Sequence, residues 1–224
     1  MIAKLYGVGR VLKGKLCVPG DKSISHRAIM FSSLVKGKTV VEGFLPSEDC
    51  LSTMDIFQKL GVSIEREGTK LTIEGKGVEA LEAPADSLYC GNSGTTMRLM
   101  AGILSAQTFS SVLFGDESLE KRPMGRVLSP LSKMGAKISA EGEKCTAPLK
   151  IEGGALEGIC YESPIASAQV KSAVLLASLY AKGETVYTEP SLSRDHTERL
   201  LSAMGADIET RILKDGKAEI HLRP

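Results

Sequence analysis

No tryptophan occurs in the 224-residue chain, and aromatic residues make up only 4% of it. Proteins that hold single-stranded nucleic acid stack bases on aromatic rings, so that function has almost no platform here. Charge of one sign is equally scarce, because 28 Lys and Arg against 27 Asp and Glu leave a net +1. Neither nucleic acid nor an anionic membrane meets a broad attracting field, and any anion has to be held by a local cluster. The five cysteines, Cys17, Cys50, Cys90, Cys145 and Cys160, form no C-x-x-C pair and have no neighbouring histidine at metal-ligand spacing. They read as reduced core residues of a cytoplasmic protein, with no metal and no cofactor expected. No run approaches the roughly 18 apolar residues of a membrane span, and Lys and Gly interrupt Met1 to Lys15 where a signal peptide needs a continuous apolar stretch.

What is present is an ordinary globular mixture, 42% hydrophobic and 25% charged, enough to fill the core of one large domain or two small ones. A repeat organises it. Leu60-Gly61-Val62-Ser63-Ile64, Met134-Gly135-Ala136-Lys137-Ile138 and Met204-Gly205-Ala206-Asp207-Ile208 each end a helical pattern on Gly and start an alternating one. Glycine suits a helix C′ position, where φ is positive, and the alternation predicts a strand. A second strand follows each time, at Lys70–Glu74, Leu149–Glu152 and Ala218–Leu222, with hairpins at Glu67-Gly68 and Asp215-Gly216.

Upstream in each copy the pattern predicts a strand and an amphipathic helix: Thr39–Glu42 before Leu51–Leu60, Ser110–Phe114 before Val127–Met134, and Glu184–Thr188 before Thr197–Met204, with Leu51, Met54, Phe57 and Leu60 on the apolar side of the first. Earlier still come short strands near Leu16–Val18, Leu88–Cys90 and Ile159–Tyr161, each leading into a helix: Ser25–Val35, Thr95–Ala106 and Ala166–Ala181. These first helices are apolar nearly all round, which in a globular protein means burial. The expected fold is α/β (α+β): three βαβαββ units, about residues 14–77, 78–154 and 155–224, with buried parallel helices surrounded by sheets and their N-termini gathered at one end.

The segments entering those helices carry small hydroxyl and amide side chains: Pro19-Gly20-Asp21-Lys22-Ser23, Gly91-Asn92-Ser93-Gly94-Thr95 and Ser167-Ala168-Gln169. A helix N-terminus offers free N–H groups and a positive dipole end to an anion. Cations are disfavoured there, so Lys22, Arg27 and Arg98 near helix starts argue for a bound anion. Ordinary capping explains any one segment alone; three equivalent segments point to a shared site. The loops Ser118–Met124 and Ser193–Glu198 add Arg122, set before Pro123 and suited to bidentate anion contact, and Arg194.

Taken in order, Pro19-Gly20-Asp21-Lys22-Ser23-x-x-x-Arg27, Gly91-Asn92-Ser93-Gly94-Thr95-x-x-Arg98, Lys121-Arg122-Pro123-Met124 and Ser167-Ala168-Gln169 resemble the 5-enolpyruvylshikimate-3-phosphate synthase family. The resemblance implies transfer of the enolpyruvyl group of phosphoenolpyruvate to the 5-hydroxyl of shikimate 3-phosphate, with release of phosphate, on the route to chorismate and aromatic amino acids. It implies that Lys22 is catalytic and touches both substrates. Ser23, Arg27, Ser167, Ala168, Gln169, Ser193 and Arg194 would bind shikimate 3-phosphate; Asn92, Gly94, Thr95, Arg122 and Gln169 would bind phosphoenolpyruvate. Many members carry a second Ser where Ala168 stands. Members also have two similar domains with the substrates between them, so the resemblance covers the N-terminal one only. It implies that residues 1–13 pack on a C-terminal domain absent from this chain, that the chain alone lacks turnover, and that glyphosate competes at Gly94. The partners implied are the two substrates and that second domain, with a monomer expected.

Three alternatives stay open. A UDP-N-acetylglucosamine enolpyruvyl transferase has Asn after the lysine and a Cys in its loop, where this chain has Ser23 and no Cys in Ser118–Arg126. The others are an RNA-binding module and a non-catalytic phosphometabolite-binding domain of the same repeat fold. Ser118-x-x-Lys121 and Gly37-Lys38-Thr39 lack the surroundings of an acyltransferase or P-loop motif. Asp195 and Glu198 read as helix capping, and His26 as structural.

Overall fold

The computed structural model describes residues 13–224, together with Lys4, Gly7 and Gly9. The expectation for residues 1–13 therefore falls almost wholly outside the described residues. From Lys22 onward the chain runs α1 (Lys22–Leu34), β1 (Lys36–Val41), α2 (Glu48–Lys59), β2 (Ser63–Glu67) and β3 (Lys70–Lys76). The second stretch is β4 (Leu88–Tyr89), α3 (Gly94–Ser105), β5 (Ser110–Phe114), a single-turn α4 (Glu117–Glu120), α5 (Gly125–Lys133), β6 (Lys137–Glu141) and β7 (Thr146–Glu152). The third is β8 (Cys160–Glu162), α6 (Ala168–Ser178), β9 (Thr185–Glu189), α7 (His196–Ala203), β10 (Asp207–Ile212) and β11 (Ala218–Arg223).

Each stretch makes its own sheet. Two are four-stranded with the same order, β4-β5-β7-β6 and β8-β9-β11-β10, whereas the first is β1-β3-β2. The β4/β5 and β8/β9 pairs are parallel, joined through α3 and α6, and the remaining neighbours are antiparallel. One expected strand is missing: Leu16 to Val18 is irregular, with Leu16 86% and Val18 76% exposed. An alternating segment becomes a strand only when an apolar layer covers it, and no such layer lies over these residues among those described. The repeat is therefore αβαββ in its first copy and βαβαββ in the other two.

The three glycines after the second helices have φ of +85° (Gly61), +97° (Gly135) and +93° (Gly205), the helix-ending geometry expected of them. Alternation then sets each inner face: Leu71 and Ile73 on β3, Ala147, Leu149 and Ile151 on β7, Ala218, Ile220 and Leu222 on β11 are all buried. These faces enclose α1, α3 and α6, whose side chains from Ile29 to Leu34, Met97 to Ser105 and Val170 to Ser178 are buried. Helices α3 and α6 run parallel in close contact, because Gly102 leaves room for the Ala173 carbonyl; a Cβ there would lie 2.2 Å from that oxygen.

Three details differ from the sequence reading. On α2 the buried stripe is Cys50, Thr53, Ile56 and Phe57, with Leu51 and Met54 only half-buried at its edge. Of the cysteines, Cys50 and Cys90 are buried, Cys145 is intermediate, and Cys17 and Cys160 are exposed, so the core assignment holds for two of the five. Cys17 lies in the uncovered segment and Cys160 faces outward on a sheet edge. Asp195 precedes α7 without a side-chain capping bond, and Glu198 is turned inward to a buried lysine. No helix among the described residues is long and apolar enough to cross a membrane.

Candidate functional site

Local capping fixes each of the three helix starts. Asp21 accepts the Ile24 N–H at 2.8 Å, Ser93 the Thr96 N–H at 3.1 Å and Ser167 the Val170 N–H at 3.4 Å. Capping consumes a serine lone pair and leaves its O–H free to donate. The capping and the anion-binding readings of these segments are thus compatible.

Around the start of α1, Lys22 pairs with Asp49 of the first turn of α2. Ser23 Oγ accepts from Arg194 Nη1 at 3.0 Å, which joins α1 to the loop entering α7. One turn further, Arg27 is 3% exposed. It donates to Thr197 Oγ1 at 2.7 Å, Ser172 Oγ at 2.6 Å and the Ser23 carbonyl at 3.0 Å. Burial, then the like charge of Arg194, bring its pKa down to about 10, which still leaves it charged at neutral pH. Three of its five donors are used on neutral oxygens.

At the start of α3, Asn92 stands between Asp116, to which it donates at 2.7 Å, and Arg122, whose guanidinium it accepts. The bond from Asn92, followed by the one from the Leu119 N–H, holds Asp116 below the usual carboxylate range. A Cβ on Gly94 would lie 3.0 Å from Arg98 Nη1 and 3.6 Å from Arg122 Nη1, so two guanidiniums converge on that helix start. Arg98 is 8% exposed, donates to Gln169 Oε1 at 2.7 Å, and has no partner for Nε. Burial lowers its pKa, and the nearby Arg126 and Arg122 lower it further. Gln169 completes the bridge by donating Nε2 to Thr95 Oγ1 at 2.9 Å.

Arg27, Arg98, Arg122 and Arg194 thus gather at one end of three buried helices, with no carboxylate within ion-pair distance of any of them among the described residues. For Arg27 and Arg98, which are buried, being left on neutral partners is costly. Three aligned helix N-termini add positive potential to the same place. The combination is a candidate anion site, with hydroxyl and amide groups beside the cations.

A family model described as EPSP synthase (3-phosphoshikimate 1-carboxyvinyltransferase) matches residues 8–221. The chain belongs to the EPSP synthase family. A relative from Brevibacillus brevis, named 3-phosphoshikimate 1-carboxyvinyltransferase, is 56% identical over 205 residues, covering 92% of this chain and 47% of that protein. One from Citrifermentans bemidjiense with the same name is 57% identical over 201 residues, 89% of this chain and 46% of that protein. The solved EPSP synthase of Acinetobacter baumannii superposes with a TM-score of 0.88 at 55% identity, over 93% of this chain and 46% of that one. The chain spans about half the length of the curated relatives it matches.

Within this EPSP synthase fold the residues expected from the sequence fall into two linked groups. Lys22, Ser23, Arg27, Ser193 and Arg194 lie where α1 meets the loop into α7; Asn92, Gly94, Thr95 and Arg122 lie around α3. Ser167, Ala168 and Gln169 connect them, Gln169 reaching α3 while Ser172, on the next turn of the same helix, reaches Arg27. Reasoning from the sequence gave Asp49 no role, since its pairing with Lys22 is a tertiary event with no local signal. It also passed over Lys171, although a lone lysine in the apolar run Val170 to Ala177 is a signal, because a lysine so placed needs a buried partner.

Proposed function

We propose that this chain forms the shikimate 3-phosphate half of an enzyme that transfers the enolpyruvyl group of phosphoenolpyruvate to the 5-hydroxyl of shikimate 3-phosphate, releasing phosphate, a step of aromatic amino acid biosynthesis. The observation that carries this reading is the set of four guanidiniums without carboxylate partners at three converging helix starts. Both substrates are phosphates and carboxylates, so the donor set suits them. Ser23 and Arg27 hold the shikimate carboxylate. Ser167, the backbone at Ala168, and Ser193 with Arg194 hold the 3-phosphate, and Gln169 lies against the ring. Gly94 and Arg122 receive the phosphoenolpyruvate phosphate, with Asn92 and Thr95 fixing that loop. Lys22 is the catalytic residue of this half and touches both substrates.

Adding an alcohol across the double bond of an enol phosphate and then expelling phosphate to leave an enol ether requires proton donors and acceptors on both sides of the carbon. The groups gathered here are mainly cations, hydroxyls and amides; of the carboxylates beside them, Asp21 caps α1, Asp49 is tied to Lys22 and Asp116 accepts from Asn92. Ile24, Ile165 and Leu192, each 43–44% exposed, stand beside Ser23, Ser167 and Ser193, as suits a face that a second domain closes over. The 224-residue chain by itself is expected to bind shikimate 3-phosphate weakly and to show no turnover. Joined to the remaining half of the Brevibacillus brevis relative it is expected to turn over, and Arg122→Ala in that joined enzyme to lower kcat/KM by about 100-fold or more, as loss of a bidentate charged contact implies. Ordinary rates from the chain alone, or near-normal catalysis in the variant, would sink the proposal.

A further inference from the structure

Lys171 is wholly buried on α6, four residues past Ser167. Its Nζ lies 2.8 Å from Glu189 Oε1 at the end of β9 and 2.6 Å from Glu198 Oε1 in the first turn of α7, and it donates to the Ser193 carbonyl at 3.4 Å. Glu189 is also wholly buried and accepts from three further donors: the Ser193 N–H at 2.8 Å, the Ser193 hydroxyl at 2.9 and 2.8 Å, and the Ser167 N–H at 3.3 Å. One carboxylate therefore holds both the residue that starts α6 and the loop that presents Arg194.

A buried carboxylate beside a phosphate site is a physical contradiction unless its charge is cancelled, since an approaching dianion would be repelled. Lys171 supplies the cancellation. One lysine against two glutamates would leave a net negative charge, and burial, opposed by Lys171, raises the Glu198 pKa in the direction that removes it. The cluster sits between two serines, and both Glu189 oxygens are occupied.

We propose that Glu189, neutralised by Lys171, is a positioning residue of the phosphate-binding corner: it fixes Ser167 and Ser193 at one spacing, so that Ser167 and Arg194 meet the same phosphate group. The assignment of that corner to the 3-phosphate rests on the function proposed above; the clamp itself does not.

Two measurements separate the two ideas. Hydrogen exchange on the 224-residue chain needs no ligand: Glu189→Gln is expected to speed exchange of the Ser167 and Ser193 amides by about tenfold or more while amides in the middle of α6 keep their protection, since an amide side chain offers one acceptor oxygen where the carboxylate offered two. Unchanged exchange at both serines overturns the clamp. In the joined enzyme, the same variant is expected to raise KM for shikimate 3-phosphate by about tenfold or more, with kcat and KM for phosphoenolpyruvate moving less than about twofold. A uniform loss of kcat with both KM values, or no change in either, overturns the positioning role. The triple variant Lys171→Met with Glu189→Gln and Glu198→Gln leaves no unpaired buried ion in the cluster and is expected to melt near the parent while keeping the raised KM; a normal KM in it overturns the proposal. If the parent enzyme ignores shikimate 3-phosphate, the substrate reading fails, and exchange still decides the clamp.

Discussion

Gly94 shows how a single missing Cβ shapes the candidate anion site. Arg98, held by Gln169 and the Pro123 carbonyl, cannot give way freely to a methyl group 3.0 Å from its Nη1. In the joined enzyme Gly94→Ala is expected to raise KM for phosphoenolpyruvate by about tenfold and to shift glyphosate inhibition to higher concentration; steady-state inhibition curves check both, and superimposable curves would reject the steric argument. His26 carries a different consequence. Its ring is buried, with Nδ1 2.7 Å from Thr53 Oγ1 and no partner for Nε2. Burial first, then Lys22 and Arg27, outweigh the pull of Asp49 and bring its pKa from 6.5 to about 4. Across that window the unfolded ring takes a proton and the folded ring does not, so stability falls as pH falls from 6.5 towards 4, by up to about 3 kcal/mol. Urea midpoints of the parent and His26→Gln at stepped pH should diverge near neutrality and converge near pH 4; parallel curves would remove His26 from the account.

Helices α3 and α6 meet backbone to backbone, and there two opposing effects can be weighed. Replacing Gly by Ala in a helix favours the folded state by about 1 kcal/mol through propensity, but a Cβ on Gly102 would strike the Ala173 carbonyl at 2.2 Å. Separating two packed helices costs about 3 kcal/mol or more, so Gly102→Ala is expected to lower Tm by about 4 to 8 °C, and a higher Tm would show that the contact is slack. At this scale the sequence was most readable. Helix ends marked by Gly61, Gly135 and Gly205, strand alternation, and the largely apolar α6 were legible because each is local. The motif residues were legible because they sit at fixed offsets from helix starts. The irregular run through Leu16 and Val18 was not, since whether an alternating segment pairs depends on a cover supplied from elsewhere. Nor was the cluster of Lys171, Glu189 and Glu198, whose members lie on three elements and meet only on folding. The His26, Thr53 and Thr96 contacts that tie α1, α2 and α3 stayed hidden for the same reason.

For the whole molecule, near-neutral net charge conceals a strong internal division: arginines without carboxylate partners among the described residues at one end of the helix bundle, and ordinary paired charges such as Lys137 with Glu152 and Lys217 with Glu162 at the sheets. The three sheets are not equally closed either. In two of them short strands, β4 and β8, end the sheet beside β5 and β9. In the first, the six-residue β1 is itself the border among the described residues, with Val40 49% exposed. Such a border is a template for a strand from another molecule, and lysines are what usually discourage that pairing. Lys36 and Lys38 occupy the role here. Lys38→Val should therefore make solutions of the chain turn cloudy at lower concentration and temperature than the parent, which light scattering would register; equal scattering would show that β1 needs no guard. The incomplete first sheet thus turns a question of architecture into one of solubility.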